Sequence, residues 1–505
     1  MGFNAGQLLT RRTESDPDKV ALMFEDLSFT YQDLNERSNR WANAFVDLGL
    51  RKGDRVGLLL MNCNEFLEAF FGLAKIGAVE VMLNWRLAVP ELEYVCKNSG
   101  LTYLVYGEEL AQSVDALRST LELKECVCVG KSEVPGWSRS LEFIGQYHPK
   151  EPKLGASGDD RLIILYTSGT TGRPKGVVYT HNTVLWYCIT TLVSFDIRPE
   201  DRMLVISPLF HQVGLLCGAA AHVYRGCTTL LIKKFDPLKT LELIEREKAV
   251  GFIGVPTFLQ RFTLTPNFER YLSSVRWFSV GGAPLPVPLL QAYQQRGIRV
   301  GQLFGSAETG YGALISPEKA IEKPASTGLA CLNHEIRVVN DKGVDVQPGE
   351  VGELIIKSPS GMIEYWNNPQ ATSDTIKEGW IYTGDLARLD EEKYLYLVDR
   401  KKDMIKSGGE NIYPAEIENV LAAHPKIAEV AVIGQPDEEW GESPCAIVYA
   451  KPGESFTAQE LLDFCQGKLA RYKIPKRVIT TDQPLPRNPG GKVLKRILRE
   501  QMKTE

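Results

Sequence analysis

Residues 162–177, Leu-Ile-Ile-Leu-Tyr-Thr-Ser-Gly-Thr-Thr-Gly-Arg-Pro-Lys-Gly-Val, are an apolar run that breaks into hydroxyls, glycines and cations. The run Leu162–Leu165 reads as a buried strand. The loop after it carries four hydroxyls (Thr167, Ser168, Thr170, Thr171), three glycines (Gly169, Gly172, Gly176) and two cations (Arg173, Lys175). Glycine lets backbone N–H groups turn toward an anion, and hydroxyls and cations complete the cage. The pattern is that of a polyphosphate loop. It is not a Walker A loop, which sets four residues between its glycines and opens a helix with Gly-Lys-Ser/Thr. Here Pro174 stands before Lys175, and proline disfavours the helical conformation in the residue preceding it.

Working outward, 505 residues suffice for two or three hydrophobic cores. A hydrophobic content of 44% and a charged content of 24% are those of a globular chain. The net charge of −5 argues against a nucleic-acid partner. It hides an asymmetry: residues 471–505 hold ten Lys or Arg against three acids. Such a run is a solvated basic helix or the rim of a site for a polyanion. The ten cysteines show no metal-ligand spacing, which points to reduced thiols in the cytoplasm. There is no signal-peptide pattern and no apolar stretch of the roughly 18 residues a membrane span needs. Peripheral membrane contact and homodimer formation stay open.

The first half alternates helix and strand patterns. Thr30 can cap a helix with Leu34, Trp41, Phe45 and Leu48 on one face. Strands are expected at 55–61 and 78–83 with a helix at 65–76 between them, and similar units recur at 201–232, 240–255 and 275–304. This is the pattern of a parallel-rich sheet with crossover helices, an α/β class. After Thr327 short strands such as 335–339 and 352–357 suggest a small β-rich subdomain. A strand at 394–398 leads into five charged residues, Asp399-Arg400-Lys401-Lys402-Asp403. Beyond lies a small α+β pattern: a helix from Pro414, strands at 429–433 and 446–450, and a capping box of Thr457 with Glu460. The expected domains are therefore 1–399 and 400–505.

The loop at 166–177 resembles the signature Thr-Ser-Gly-Thr-Thr-Gly-x-Pro-Lys-Gly of the adenylate-forming enzymes, and matches it at every fixed position. Acyl- and aryl-CoA ligases, luciferases and peptide-synthetase adenylation domains belong to that family. Further segments continue the resemblance in the same order. Gly281-Gly282-Ala283-Pro284 is similar to the segment that runs along adenine and the acyl group. Phe304-Gly305-Ser306-Ala307-Glu308 is similar to Tyr-Gly-x-Thr-Glu, which implies that Phe304 stacks on adenine and Glu308 binds Mg²⁺. Ala307 replaces a threonine that contacts the α-phosphate, which leaves Ser306, Thr309 or the loop to substitute, or adenylation weaker than is usual in the family. Tyr382-Thr383-Gly384-Asp385 implies a ribose-binding Asp385, joined by Arg400. Lys402 falls at the position about which the small domain turns between half-reactions. The resemblance further implies that Gly408 and Gly409 border a thiol tunnel. It places Lys492 of Pro486-Arg487-Asn488-Pro489-Gly490-Gly491-Lys492 at the reacting carboxylate and α-phosphate. His211 and Gly214, with Gly282 and Gly305, are implied to line the acid pocket, and Trp440 and Tyr472 to sandwich the adenine of coenzyme A.

The resemblance implies an AMP-forming acid–CoA ligase that uses ATP, Mg²⁺ and CoA, with Lys492, Glu308, Thr167 and Lys175 as its catalytic groups. An enzyme loading a carrier protein, or a catalytically silent nucleotide sensor, are the rivals; activity with free CoA and pyrophosphate release separate them. The motif run is most similar to bacterial fatty-acyl-CoA ligases. The small residues Gly214, Gly218, Ala219 and Ala220 suggest an extended groove for a medium- or long-chain aliphatic acid. An aromatic acid of the cinnamate or benzoate type is the alternative.

Overall fold

Thr30 caps the helix Tyr31–Asp47 as its position predicts: its hydroxyl accepts from Asp33 N at 3.0 Å, and the Asp33 carboxylate accepts from Thr30 N at 2.9 Å. Leu34, Trp41 and Phe45 are buried along that helix. The following helix, Asn64–Ile76, is buried on nearly every side, its charged Glu68 and Lys75 included. These elements come from a computed structural model that describes residues 4–130, 134–153, 155–167, 173–407, 410–487 and 493–502.

The chain divides into two compact units, residues 1–336 with 356–382, and 337–355 with 383–505. The expected boundary at 399/400 and Lys402 both lie within the second unit. The first unit contains two sheets. One has seven strands in the order Glu364–Tyr365, Lys175–Thr180, Arg161–Thr167, Val79–Met82, Arg55–Leu59, Tyr103–Gly107 and Glu125–Val129. The last five are mutually parallel, and the first three are antiparallel. The other sheet has nine strands, with Val300–Ser306, Trp277–Val280, Gly251–Gly254, Arg202–Val205, Thr228–Leu231 and Val20–Phe24 parallel at its centre. At one end the chain folds back antiparallel through Gly310–Ile315 and Leu329–Ala330. The α/β class is that of the sequence pattern, with antiparallel strands added where the loops of interest begin.

In the second unit the hairpin Ile427–Asp437/Gly441–Ala450 is the spine; on the free edge of Gly441–Ala450, Ile405–Ser407 pairs at its start through Gly441 and Arg477–Thr481 pairs parallel farther along. Two expectations change here. Thr457 does accept from Glu460 N, at 3.1 Å, but the reciprocal half of the capping box is missing. The Glu460 carboxylate instead bonds Lys426 Nζ at 2.9 Å, because a full cation outcompetes a backbone N–H for a carboxylate. The basic stretch from 471 is not one solvated helix either. It contains a 3₁₀ turn, a strand and the helix Lys495–Gln501. Its cations pair with acids distant in sequence: Lys473 with Glu416, Lys476 with Asp437, Lys495 with Glu418 and Arg499 with Asp403.

Candidate active site

The phosphate-loop candidate begins where the strand Arg161–Thr167 ends and closes where Lys175–Thr180 starts. Thr167 pairs with Lys175, and Tyr166 with Gly176, so the loop joins antiparallel neighbours and opens no helix. Ser168, Gly169, Thr170, Thr171 and Gly172 lie outside the described residues, as do Gly408, Gly409 and Lys492. At the loop's closing end, Lys175 Nζ lies 4.6 Å from the centroid of the Tyr365 ring.

Glu308 occupies the turn between Val300–Ser306 and Gly310–Ile315. Its Oε1 accepts from the Tyr365 hydroxyl at 2.9 Å, and its carbonyl accepts from Met362 N at 2.8 Å. A lone carboxylate suits Mg²⁺, which takes one or two carboxylates and fills the rest of its shell with phosphate oxygens and water. Among the described residues no cluster of three or more His, Cys, Asp or Glu could cage a metal by itself.

The turn also shows what can stand in for the missing threonine at 307. Thr309 is fully buried, its hydroxyl shared with Ser306 and donated to Gly310 O at 3.1 Å. It builds the turn and offers nothing outward. Ser306 is half-buried and remains the hydroxyl on that side. The Ala307 carbonyl accepts from the Tyr179 hydroxyl at 2.5 Å. Phe304 is buried on the strand leading into the turn, and Gly305 sits opposite Tyr311 across the hairpin. Gly282 has φ of 76°, a left-handed conformation open to glycine at little cost. It turns the chain so that Ala283 and Pro284 are exposed.

His211 packs its ring against Phe210, centroids 4.4 Å apart. Desolvation, helped by the Arg86 cation, pushes its pKa down to about 4, so the imidazole is neutral near pH 7. The segment after it bears on the groove expectation at two of its small residues. A Cβ on Gly214 would stand 2.4 Å from Pro208 O, and one on Gly218 would stand 3.0 Å from Val205 Cγ2. Those small residues let the segment press onto the strand beside it; they are filled contacts, not vacancies. Behind them three buried tyrosines form a chain of rings, Tyr179–Tyr187 at 5.8 Å and Tyr187–Tyr311 at 5.9 Å. Tyr179 Oη lies 2.9 Å from Gln212 Oε1, so this wall stands directly beside the His211 segment and the 305–308 turn.

Within the second unit, Asp385 faces Arg400 on paired strands, Oδ1 to Nε 2.6 Å. Asp385 N donates to Thr383 Oγ1 at 3.0 Å, and that hydroxyl donates to Leu354 O at 2.7 Å, so the acid sits on a braced stretch of strand. Lys401 is tied to Asp341 and Glu353, while Lys402, in the turn closed by Asp403 N donating to Arg400 O, has no ion pair among the described residues. Burial, with cations Arg400, Arg499 and Lys495 nearby, lowers its pKa. Trp440 and Tyr472 are 43% and 45% exposed, large for aromatic residues and hence free to stack on a ligand. Lys476 lies over the Trp440 ring at 5.7 Å and Lys473 over Tyr472 at 5.6 Å. Trp440 adjoins Gly441, which pairs with Ser407 at the edge of the glycine pair.

Sequence reasoning missed Tyr365 and Tyr179. Neither carries a spacing signal, because Tyr365 meets Glu308 across 57 residues and Tyr179 meets Ala307 across 128. Only the adjacency of strands brings them together.

Comparison with known proteins fits this layout. The family model described as AMP-binding enzyme matches residues 9–366, and that of the AMP-binding enzyme C-terminal domain matches 416–492. The chain is 41% identical over 502 residues to the long-chain-fatty-acid–CoA ligase FadD13 of Mycobacterium tuberculosis, covering 99% of this chain and 98% of that protein. It is 38% identical over 492 residues to a feruloyl-CoA synthase of an Amycolatopsis species, 97% of each being covered. Its fold superposes on o-succinylbenzoate CoA synthetase from Bacillus subtilis, in complex with the acyl-adenylate intermediate OSB-AMP. The TM-score is 0.88, with 32% identity and coverage of 99% and 98% of the two chains. The chain belongs to the AMP-binding enzyme family, and within it is an acid–CoA ligase.

Proposed function

We propose that this ligase activates a carboxylic acid with a compact aromatic body, through an acyl-adenylate and then a CoA thioester. The observation that carries the choice of acid is the wall of Tyr179, Tyr187 and Tyr311 beside His211 and Gly305, together with the filled space around Gly214 and Gly218. The three rings are buried against one another, so they fill the space behind the segment and leave none there for a long chain to enter. A straight alkyl chain gains about 0.8 kcal/mol per buried CH₂ only while groove remains for it to enter. The second reading, a medium- or long-chain aliphatic acid, is favoured by the 41% identity to a long-chain fatty-acid ligase over nearly the whole chain. Rates with straight-chain acids from C4 to C18, benzoate and ferulate decide between them. Aryl acids should exceed C12–C18 acids in kcat/KM by about tenfold or more; steadily rising values with chain length would establish the aliphatic reading.

In the first half-reaction the substrate carboxylate attacks the α-phosphorus of ATP and pyrophosphate leaves, so no protein nucleophile is required. Positioning and charge stabilisation carry such a step. Lys175, Thr167 and the loop hold the polyphosphate. Glu308 would hold Mg²⁺, which when bound neutralises charge on the phosphates. Phe304 and the Gly282–Pro284 backbone receive adenine, Asp385 with Arg400 receives ribose, and Lys492 offsets charge at the α-phosphate. Neutral His211, with Gly214, Gly282 and Gly305, lines the acid site without adding a positive charge. Rotation of the smaller part of the chain about Lys402 then admits the CoA thiol past Gly408 and Gly409.

In this proposal Trp440 and Tyr472 grip the CoA adenine. Trp440→Ala should raise the KM for CoA by roughly tenfold, the worth of one aromatic stacking partner. Pyrophosphate release in the absence of CoA should be unchanged. A CoA titration curve that overlays the wild type would remove Trp440 from the site.

A further inference from the structure

Residues 362–366 stitch the two charged ends of the phosphate site together. Met362 N donates to Glu308 O at 2.8 Å, and Ile363 N to Val178 O at 3.1 Å. Tyr365 then pairs with Val177 as part of a two-residue edge strand, and Trp366 N donates to Gly176 O at 2.7 Å. Tyr365 N also donates to Thr372 Oγ1 at 2.9 Å, which fixes the residue from its other side. The side chain itself is buried. Its hydroxyl donates to Glu308 Oε1 at 2.9 Å while the face of its ring carries Lys175 Nζ at 4.6 Å.

Lys175 and Glu308 both serve the same polyphosphate, resting on the reading given above. Opposite charges converging on one ligand attract each other whenever that ligand is away, and a direct ion pair would have to be broken at each turnover. We propose that Tyr365 is a positioning residue that prevents this collapse. One rigid phenol holds the ammonium on its π face and the carboxylate on its hydroxyl, so the cation and the metal-binding acid stay apart at a fixed separation. The hydrogen bond occupies Oε1 and leaves Oε2 for a cation, and the π contact steadies the lysine without neutralising it. The fold supplies the rigidity: the same strap is laddered to the strand of Lys175 and to the turn of Glu308, each in the first unit.

The test is calorimetric binding of the non-cleavable analogue α,β-methylene-ATP, in excess Mg²⁺ and in EDTA, to wild type, Tyr365→Phe, Tyr365→Leu, Glu308→Gln and the Tyr365→Phe/Glu308→Gln double variant. Thermal unfolding without ligand checks that each is folded. Tyr365→Phe keeps the ring and loses the hydroxyl, so it should bind about tenfold more weakly in Mg²⁺ and as wild type in EDTA, the size expected for a hydrogen bond to a charged group. Tyr365→Leu should weaken binding in both media, since Lys175 loses its support as well. In the Glu308→Gln background the Tyr365→Phe change should add nothing, because the two then act through one group. A Tyr365→Phe protein equal to wild type in both media, equally weakened in both, or fully additive with Glu308→Gln overturns the inference alone. A wild type whose affinity is indifferent to Mg²⁺ overturns the Glu308 reading and this inference with it.

Discussion

Lys492→Ala lowers the rate of acyl-adenylate formation by roughly 10²-fold or more, the loss found when one preorganised donor to developing charge is removed. Attack of CoA on a preformed acyl-adenylate is largely spared, because the lysine is assigned to the α-phosphate and not to the thiol. The described residues on either side of it are tied together. Arg487 and Val493 pair across the base of the loop, and Leu494 N donates to Pro486 O at 2.7 Å. Arg487 is further tied to Glu429 at 3.2 Å. Pyrophosphate release and thioester formation are measured separately, the second with synthetic adenylate. Equal losses in both steps would remove Lys492 from its assigned role.

Lys75→Met lowers the stability of the first unit by about 3 kcal/mol, near the low end for breaking a buried charge pair. Lys75 is fully buried on the helix Asn64–Ile76. Its Nζ donates to Asn35 Oδ1 and Asn39 Oδ1, each at 2.6 Å, and to Glu151 Oε2 at 2.9 Å. Methionine matches the stem and donates to none of the three. The Glu151 side chain is 39% exposed and can rehydrate, which keeps the loss at the low end. Desolvation brings the Lys75 pKa down to about 8 against the pull of Glu151. Since the unfolded chain titrates near 10.4, it binds more protons than the folded one between these values. Stability from this group therefore rises with pH across roughly 8 to 10.4, and Lys75→Met should abolish that rise. Calorimetric unfolding at pH 7 and pH 9.5 measures both effects. A variant as stable as the wild type at pH 7 would show that the buried amine is held without net gain.

The elements most legible in the sequence are those whose cause is local. Thr30 and Asp33 cap a helix three residues apart, and the helix ending at Ile76 stops at Gly77, which takes φ of 78°. The strand into the phosphate-loop candidate and the turn holding Glu308 also stand where their flanking apolar runs put them. Glycine spacing, by contrast, does not decide the shape of the acid pocket. Gly214 and Gly218 are small because backbone and Val205 press on them, and a sequence cannot tell a vacancy from a close contact. Thr457 with Glu460 failed for a related reason, since Lys426 took the carboxylate.

What the sequence by itself determined is the order of strand, loop and helix and the chemistry carried by each loop. Hydrophobic period, proline, glycine and capping residues act within a few positions of one another. What only the tertiary structure decided is which of those loops touch. Strands distant in the chain become neighbours through sheet order, and that order sets Tyr365 between Lys175 and Glu308 and puts the tyrosine wall beside His211. The physical reason is that pairing between remote strands is selected by the burial of whole faces, an energy summed over many residues, and leaves no signal at the individual positions it joins.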